Sequence, residues 1–403
     1  MKGPPEAADR KMEGAKLHPS IYCELKMTRD VPYLNGLRAF AAIWVVVAHC
    51  MIWGGWTFTP IPDPKIAVDL FMMISGYLMA HNAQRRESIE PMGRASSWLQ
   101  FYIRRYFRIA PAYYVSLILA VATSAKFLEG YKVLQLLNPE FWGSGGIYDP
   151  STIRYTTGNL IAHITFAFGL LPHYTFSTML PDWSLSLEIQ FYLVFPFLYL
   201  LMRKAGAVMI AILAALSAFA IARMLTGVFP EPSFLPLKLS LFLVGMLIAE
   251  IPFGATLRKK AAIATLSAIL PFAQVSTYHG QSWLLLTLSI LLYVLTVAEP
   301  GRSSMATLAT KVLGGRVAYV LSDASYGIYL FHGFFIAISG SVLFDDTGPL
   351  QLNGNYRSVV LCAIALPGSA LIAMLIHRYV ERPGIDLGRS AANIFSSNAP
   401  KLR

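Results

Sequence analysis

Apolar stretches of nearly membrane-crossing length recur along the whole chain, at about 36–53, 66–82, 109–128, 187–202, 206–225, 233–250, 260–279, 282–298, 325–345 and 356–377. One crossing helix needs about 20 apolar residues, and a single soluble core has no room for so many. Composition agrees: 55% of the 403 residues are hydrophobic, only 14% are charged, and the mean hydropathy is +0.52. A water-soluble enzyme is excluded. The pattern predicts an all-α polytopic membrane protein with about ten transmembrane helices. Cys23, Cys50 and Cys362 fall in no paired spacing, so neither a disulfide framework nor a zinc site is expected.

Basic residues set the direction of the crossings, because cytoplasmic loops carry an excess of Lys and Arg. The first 33 residues are polar, hold Lys2, Arg10, Lys11, Lys16, Lys26 and Arg29, and read as a disordered cytoplasmic tail rather than a signal peptide. With that end inside, the 83–108 loop with its six arginines is also inside. Working back from Arg378, Arg382, Arg389, Lys401 and Arg403, the loops at 302–316, 258–260 and 203–204 fall inside as well. The two walks meet only if a weaker apolar stretch at 158–172 does not cross. It therefore reads as a re-entrant or interfacial helix. Both termini are then cytoplasmic, with a membrane domain over 34–382 and a C-terminal tail over 383–403. Most of the net charge of +11 is topology, and no nucleic-acid partner is expected. The outer segment 129–186 joins aromatics to acids, which suits either a sugar-handling surface or an aromatic belt at the lipid headgroups.

Ionisable groups inside a bilayer are costly unless paired or facing water, so each is a functional candidate. Arg38 and His49 share the first span. Eleven residues at 100° each leave them about 20° apart on one face and about 16.5 Å apart in depth. Arg38 could equally snorkel as an anchor, and His49 could simply hydrogen-bond a neighbour. His49 is the leading candidate for proton transfer, since only histidine titrates near neutrality unperturbed. Asp69, entering the membrane on the next span, is its expected orienting partner. Arg105 and Arg108, in the run Arg104–Arg108 at the start of the third span, offer forked donors for phosphate or for lipid headgroups. Pro111 suits the first turn of that span. Glu188, placed at the outer edge, could cap its helix, contact an acceptor hydroxyl or pair with His49. His332 could pair with a carboxylate or line a polar pocket.

These motifs resemble the acyltransferase 3 family of integral membrane O-acyltransferases. The likeness rests on six elements in order. They are Leu34-Asn35-Gly36-Leu37-Arg38 with His49; Val68-Asp69-Leu70-Phe71 through Ser75-Gly76-Tyr77; and Arg105-Tyr106-Phe107-Arg108-Ile109-Ala110-Pro111. Then come Trp183-Ser184-Leu185-Ser186-Leu187-Glu188, Ser325-Tyr326-Gly327-Ile328-Tyr329-Leu330-Phe331-His332, and Glu381-Arg382-Pro383. Asn35 replaces the usual acid and Leu187 the commoner valine.

The resemblance implies transfer of an acyl group, usually acetyl, from cytoplasmic acyl-CoA, a co-substrate and not a bound cofactor, to a hydroxyl of an exported or envelope carbohydrate. It also implies residence in the bacterial cytoplasmic membrane. His49, Asp69 and Glu188 are then the expected catalytic groups. Arg38, Arg105 and Arg108 would hold the CoA phosphates, and Trp183, Ser186 and His332 would line the acceptor. His49 would act as general base or, alternatively, form an acyl-histidine. A transporter or flippase for a lipid-linked saccharide is the competing reading, since intramembrane charges also mark substrate pathways.

Overall fold

A computed structural model describes residues 31–57, 63–142, 153, 155–175, 177–253, 255–274, 281–297, 304–345 and 348–397. The N-terminal tail expected over 1–33 lies almost wholly outside them. Among the described residues every regular element is helical: α1 (Pro32–Gly54), α2 (Pro64–Arg86), α3 (Ala95–Ala122), α4 (Ser124–Leu136), α5 (Thr157–Ile164), α6 (Trp183–Ala205) and α7 (Ala207–Met224). They continue with α8 (Leu239–Ile248), α9 (Leu257–Ile269), α10 (Gln281–Val297), α11 (Ser304–Leu313), α12 (Arg316–Leu343), α13 (Gly354–Ile376) and α14 (Arg382–Ser397). Local signals start and stop them. Prolines open α1 and α2, where the missing N–H is an orphan donor anyway, and the Asp63 carboxylate caps α2 by accepting from Lys65 N at 2.8 Å. Gly55 closes α1 in the left-handed region at φ 83°.

Six of these runs are long and apolar enough to cross a membrane: α1, α2, α6, α7, α12, and α13 with its continuation. The α3–α4 pair, bent by 77°, is a seventh candidate. The stretches 233–250 and 260–279 form shorter helices than expected. Short 3₁₀ turns flank the ten-residue α8, and α9 gives way to the turn Leu270–Phe272 at Pro271. The 158–172 stretch yields the eight-residue α5 and a 3₁₀ turn. At 1.5 Å per residue, α5 reaches about 12 Å and cannot cross.

Two boundaries differ from expectation. The third span begins at Ala95, so Pro111 sits well inside α3 rather than in its first turn. Residues 383–397, expected as a tail, continue from α13 through a π-turn as α14. A Cβ at Gly384 or Gly388 would run into Pro111 or Phe107, so α14 lies directly on α3.

The core forms around α1, which packs against α2, α11, α12 and α13. Small side chains let neighbours approach: Ala41, Ala42 and Ala48 are fully or almost fully buried. Between α2 and α8, added Cβ atoms at Gly76 or Gly245 would overlap the backbone of the other helix. In lipid, where apolar surface alone gives no net drive to associate, such backbone contact supplies the dispersion energy.

Candidate active site

His49 lies in the C-terminal third of α1, and its ring meets His332 of α12 with centroids 4.9 Å apart. Its Nδ1 lies 2.9 Å from the Val45 carbonyl and 3.2 Å from His332 Nε2. His332 Nδ1 lies 2.7 Å from the Tyr329 carbonyl. A carbonyl only accepts, so both Nδ1 atoms carry protons. His332 Nε2 is then an acceptor, and His49 Nδ1–H is shared between it and Val45 O. Any other tautomer sets two lone pairs face to face. The lone pair of His49 is thereby left on Nε2. His332 is buried, whereas His49 is only partly so, which gives Nε2 room to meet a substrate.

Asp69 is not the orienting group. It is completely buried and ion-paired to Lys238 Nζ at 2.8 Å, with Gln274 Oε1 also accepting from that ammonium. Desolvation explains the pairing: a buried carboxylate takes the nearest cation before a neutral imidazole. A partner for His49 comes from α12, the parallel neighbour of α1.

A second level of polar groups lies below the histidines. Arg38 Nη2 donates to Ser325 Oγ at 3.3 Å, and Ser325 is seven residues, or about 10 Å of helix, before His332. Arg108 is ion-paired to Glu381 at 3.3 Å, and Glu381 also accepts from His377 at 2.7 Å. Arg105 spreads its guanidinium over Phe101 and Tyr192, 5.6 and 5.9 Å from the ring centroids. Arg104 turns instead toward Glu90, which Arg86 also holds. Burial alone would raise the Glu90 carboxyl, but the two guanidinium groups outweigh it and bring it below its usual range.

Glu188 belongs to this lower level and not to the outer edge. It accepts from Ser75 at 3.3 Å and from Tyr192, and it is within Coulomb range of Arg38, Arg108 and Tyr326. The reason is that the chain before α6 dips inward. Ser184 already meets Tyr329, four residues above Ser325, and Glu188 lies one turn further along α6, which runs antiparallel to α12. Arg38, Ser75, Arg105, Arg108, Glu188 and Tyr326 are each partly exposed although they point into the bundle.

Ser186 does not face a substrate. It is fully buried, donates to Phe166 O at 2.7 Å and accepts from Gly169 N at 3.1 Å, so it stitches the segment before α6 to the helix. Trp183 is likewise buried at the first turn. Beside it, Asp182 Oδ2 accepts from Tyr113 at 3.0 Å and Thr178 at 3.1 Å, with His163 Nε2 at 3.9 Å. Burial pushes the Asp182 carboxyl up to about 7 and the His163 imidazole down to about 4.

Lys238 and Glu381 are the main partners missed in the sequence. Lys238 is a lone cation within the apolar run 233–250, a signal in plain view. Glu381 stands out in the sequence only as part of the Glu381-Arg382-Pro383 motif. Among the described residues no cluster of three or more His, Cys, Asp or Glu side chains is arranged for a metal.

A family model described as an acyltransferase domain matches residues 31–374. Among individual relatives, peptidoglycan O-acetyltransferase OatA of Listeria monocytogenes is 27% identical over 88% of this chain and 55% of its own length. The acyltransferase MdmB of Streptomyces mycarofaciens is 24% identical over 92% of this chain and 97% of its own. O-acetyltransferase OatA of Staphylococcus aureus is 26% identical over 88% of this chain. The chain spans only 57% of that last relative. No solved structure matches.

Proposed function

We propose that this chain, which belongs to the acyltransferase family matched over residues 31–374, moves an acetyl group from cytoplasmic acetyl-CoA to a hydroxyl of an exported or envelope carbohydrate. The observation that carries the reading is the His49–His332 pair. One imidazole is held in a fixed tautomer with a basic Nε2, on the same helix as Arg38 and above a level of three arginines. A CoA head is polyanionic, and arginine forks suit its phosphates. Two of the three arginines already have protein partners, Ser325 and Glu381, which a phosphate would join or displace.

In the step itself His49 Nε2 takes the proton of the acceptor hydroxyl as its oxygen attacks the thioester carbonyl. The carbon–sulfur bond breaks, and the CoA thiolate leaves with the proton that His49 then returns. His332 keeps the Nδ1 proton in place and accepts a stronger hydrogen bond as His49 becomes charged. It thus fills the orienting place that a carboxylate holds in a serine-hydrolase triad.

Direction fits a ten-crossing path with both termini inside, in the bacterial cytoplasmic membrane. That alternation requires α1 and α12 to run parallel, as the pairs Arg38–Ser325 and His49–His332 do. It requires the same of α2 and the 235–253 segment, where Asp69 meets Lys238 and Gln84 meets Glu250.

The test is incubation of purified protein with labelled acetyl-CoA and envelope glycans, with mass spectrometry of the acetylated product. His49→Ala should remove transfer, and wild-type turnover in that variant would refute the assignment. A burst of CoA release without acceptor would replace direct transfer by an acyl-histidine. A transporter would show no acetyl-CoA dependence.

A further inference from the structure

Tyr329 joins two parts of the site, the entry to α6 and the histidine pair. Its ring is buried, and its hydroxyl meets both the Pro181 carbonyl and Ser184 Oγ, the latter at 2.9 Å. The phenol has one proton and the carbonyl can only accept, so Tyr329 donates to Pro181 O and Ser184 donates to Tyr329. The carbonyl of the same residue accepts the His332 Nδ1 proton at 2.7 Å. One end of Tyr329 therefore grips the entry to α6, and the other holds the imidazole that orients His49.

The entry to α6 is an irregular wall. Residues 166–175 contain two 3₁₀ turns and the left-handed Phe166 at φ 59°. Ser186 fastens this wall to α6 directly, and Gln190 does so only through Ser233, whose carbonyl accepts from Gln190 and whose hydroxyl donates to Gly169 O, but those bonds do not set its position against α12. The Tyr329 hydroxyl does, from the helical turn just before His332, about 6 Å of helix above the arginine level.

We propose that Tyr329 is a positioning residue that fixes the acceptor-side wall against the His49–His332 pair, so that a carbohydrate hydroxyl, and not water, occupies the space at Nε2. This rests on the acyl-transfer reading above.

Removing only the hydroxyl separates the two ends. Tyr329→Phe keeps the backbone carbonyl and hence the His332 tautomer, but releases Pro181 and Ser184. The measurement is the partition of labelled acetyl-CoA between glycan ester and free acetate, with donor KM followed in parallel. Tyr329→Phe should lower the ester-to-acetate ratio at least about fivefold and leave donor KM unchanged. Ser184→Ala should lower the ratio in the same direction. The double variant should be no worse than the poorer single one, because both remove one linkage. A role confined to stability would reduce ester and acetate together with the amount of folded protein, and that result, or an unchanged ratio, overturns the proposal. His49→Ala run alongside distinguishes the levels. If it abolishes both products while Tyr329→Phe behaves as wild type, only the positioning role falls. If it retains both, the assignment of His49 as base falls and takes the positioning role with it, whereas a wild-type protein that forms no ester from acetyl-CoA would overturn the acyl-transfer reading itself.

Discussion

Replacing His332 by alanine removes the acceptor of the His49 Nδ1 proton without touching the atom assigned as base. The bond is shared: Val45 O lies at 2.9 Å and His332 Nε2 at 3.2 Å, so His49 Nδ1–H is not left without a partner in the variant. In the resting enzyme the lost interaction is a neutral hydrogen bond worth about 0.5–1.5 kcal/mol, and in the transition state it becomes charge-assisted at about 1.5–3 kcal/mol. The difference, about 1–1.5 kcal/mol, corresponds to about a tenfold fall in kcat. Loss of the base itself should cost about 100- to 10,000-fold. Initial rates of glycan acetylation at saturating acetyl-CoA, normalised to folded protein, measure both. A His332→Ala defect as large as that of His49→Ala would refute the assignment of roles, because it would make the buried imidazole an equal partner in the chemistry. No defect would show that Val45 alone orients His49.

Lys238→Met should destabilise strongly, by about 3–5 kcal/mol, because it strands a buried carboxylate. Asp69→Asn combined with Lys238→Met should recover most of the thermal stability in detergent and retain transfer; a stable but inactive double variant would return Asp69 to the chemistry. Arg105→Ala should raise donor KM by about 10- to 100-fold through loss of a charged hydrogen bond, with acceptor KM unchanged, and an unaltered donor KM would reduce the arginine to a packing role over Phe101 and Tyr192. The pH dependence of unfolding carries two opposed slopes. Asp182, raised to about 7, keeps its proton in the folded protein after the unfolded chain has lost it, so stability falls from pH 4 to 7. His163, lowered to about 4, leaves the unfolded chain with the extra proton, so stability rises from pH 4 to about 6.5. Each slope is about 1.4 kcal/mol per pH unit at most, and they nearly cancel over the shared interval. Asp182→Asn should expose the rising limb in pH-dependent thermal unfolding and His163→Gln the falling one; a flat profile in both variants would contradict the assignment.

The reach of the sequence was greatest where chemistry repeats along one helix. The Arg38–His49 stripe needs only helical periodicity, and both residues do face α12. Identity of candidates was also legible: His332 and Glu188 stood out as ionisable groups in apolar runs. Pairing was not, because Asp69 and His49 are adjacent in sequence order of spans while His49 and His332 are 283 residues apart. Helices that neighbour in sequence need not present their polar faces to each other. Burial energy then decides the partners, and it sent Asp69 to Lys238. Helix limits failed at α3 for a related reason. Its first three turns carry Gln100, Arg104 and Arg105, too polar for an apolar-stretch reading, yet Glu90 and the Tyr192 ring satisfy those arginines and allow the helix to start at Ala95.

The height of Glu188 carries the argument furthest. Counted along a simple up-and-down path, the start of α6 belongs at the outer surface, and Glu188 would be a group for the acceptor. The irregular segment before α6 removes that equivalence: by entering the bundle as far as Tyr329, it begins the helix between the histidines and the arginines and leaves the next turn among the arginines. Irregular backbone at such depth is tolerable only where protein satisfies it, and Ser186 and Ser233 do so here, at Phe166 and Gly169. The same dip places Glu188 within Coulomb range of Arg38 and Arg108. In that position the carboxylate offsets part of a positive cluster that would otherwise repel itself. Glu188→Gln should accordingly change donor KM more than acceptor KM, by strengthening the uncompensated positive field; a change confined to acceptor KM would return the carboxylate to the outer half of the site.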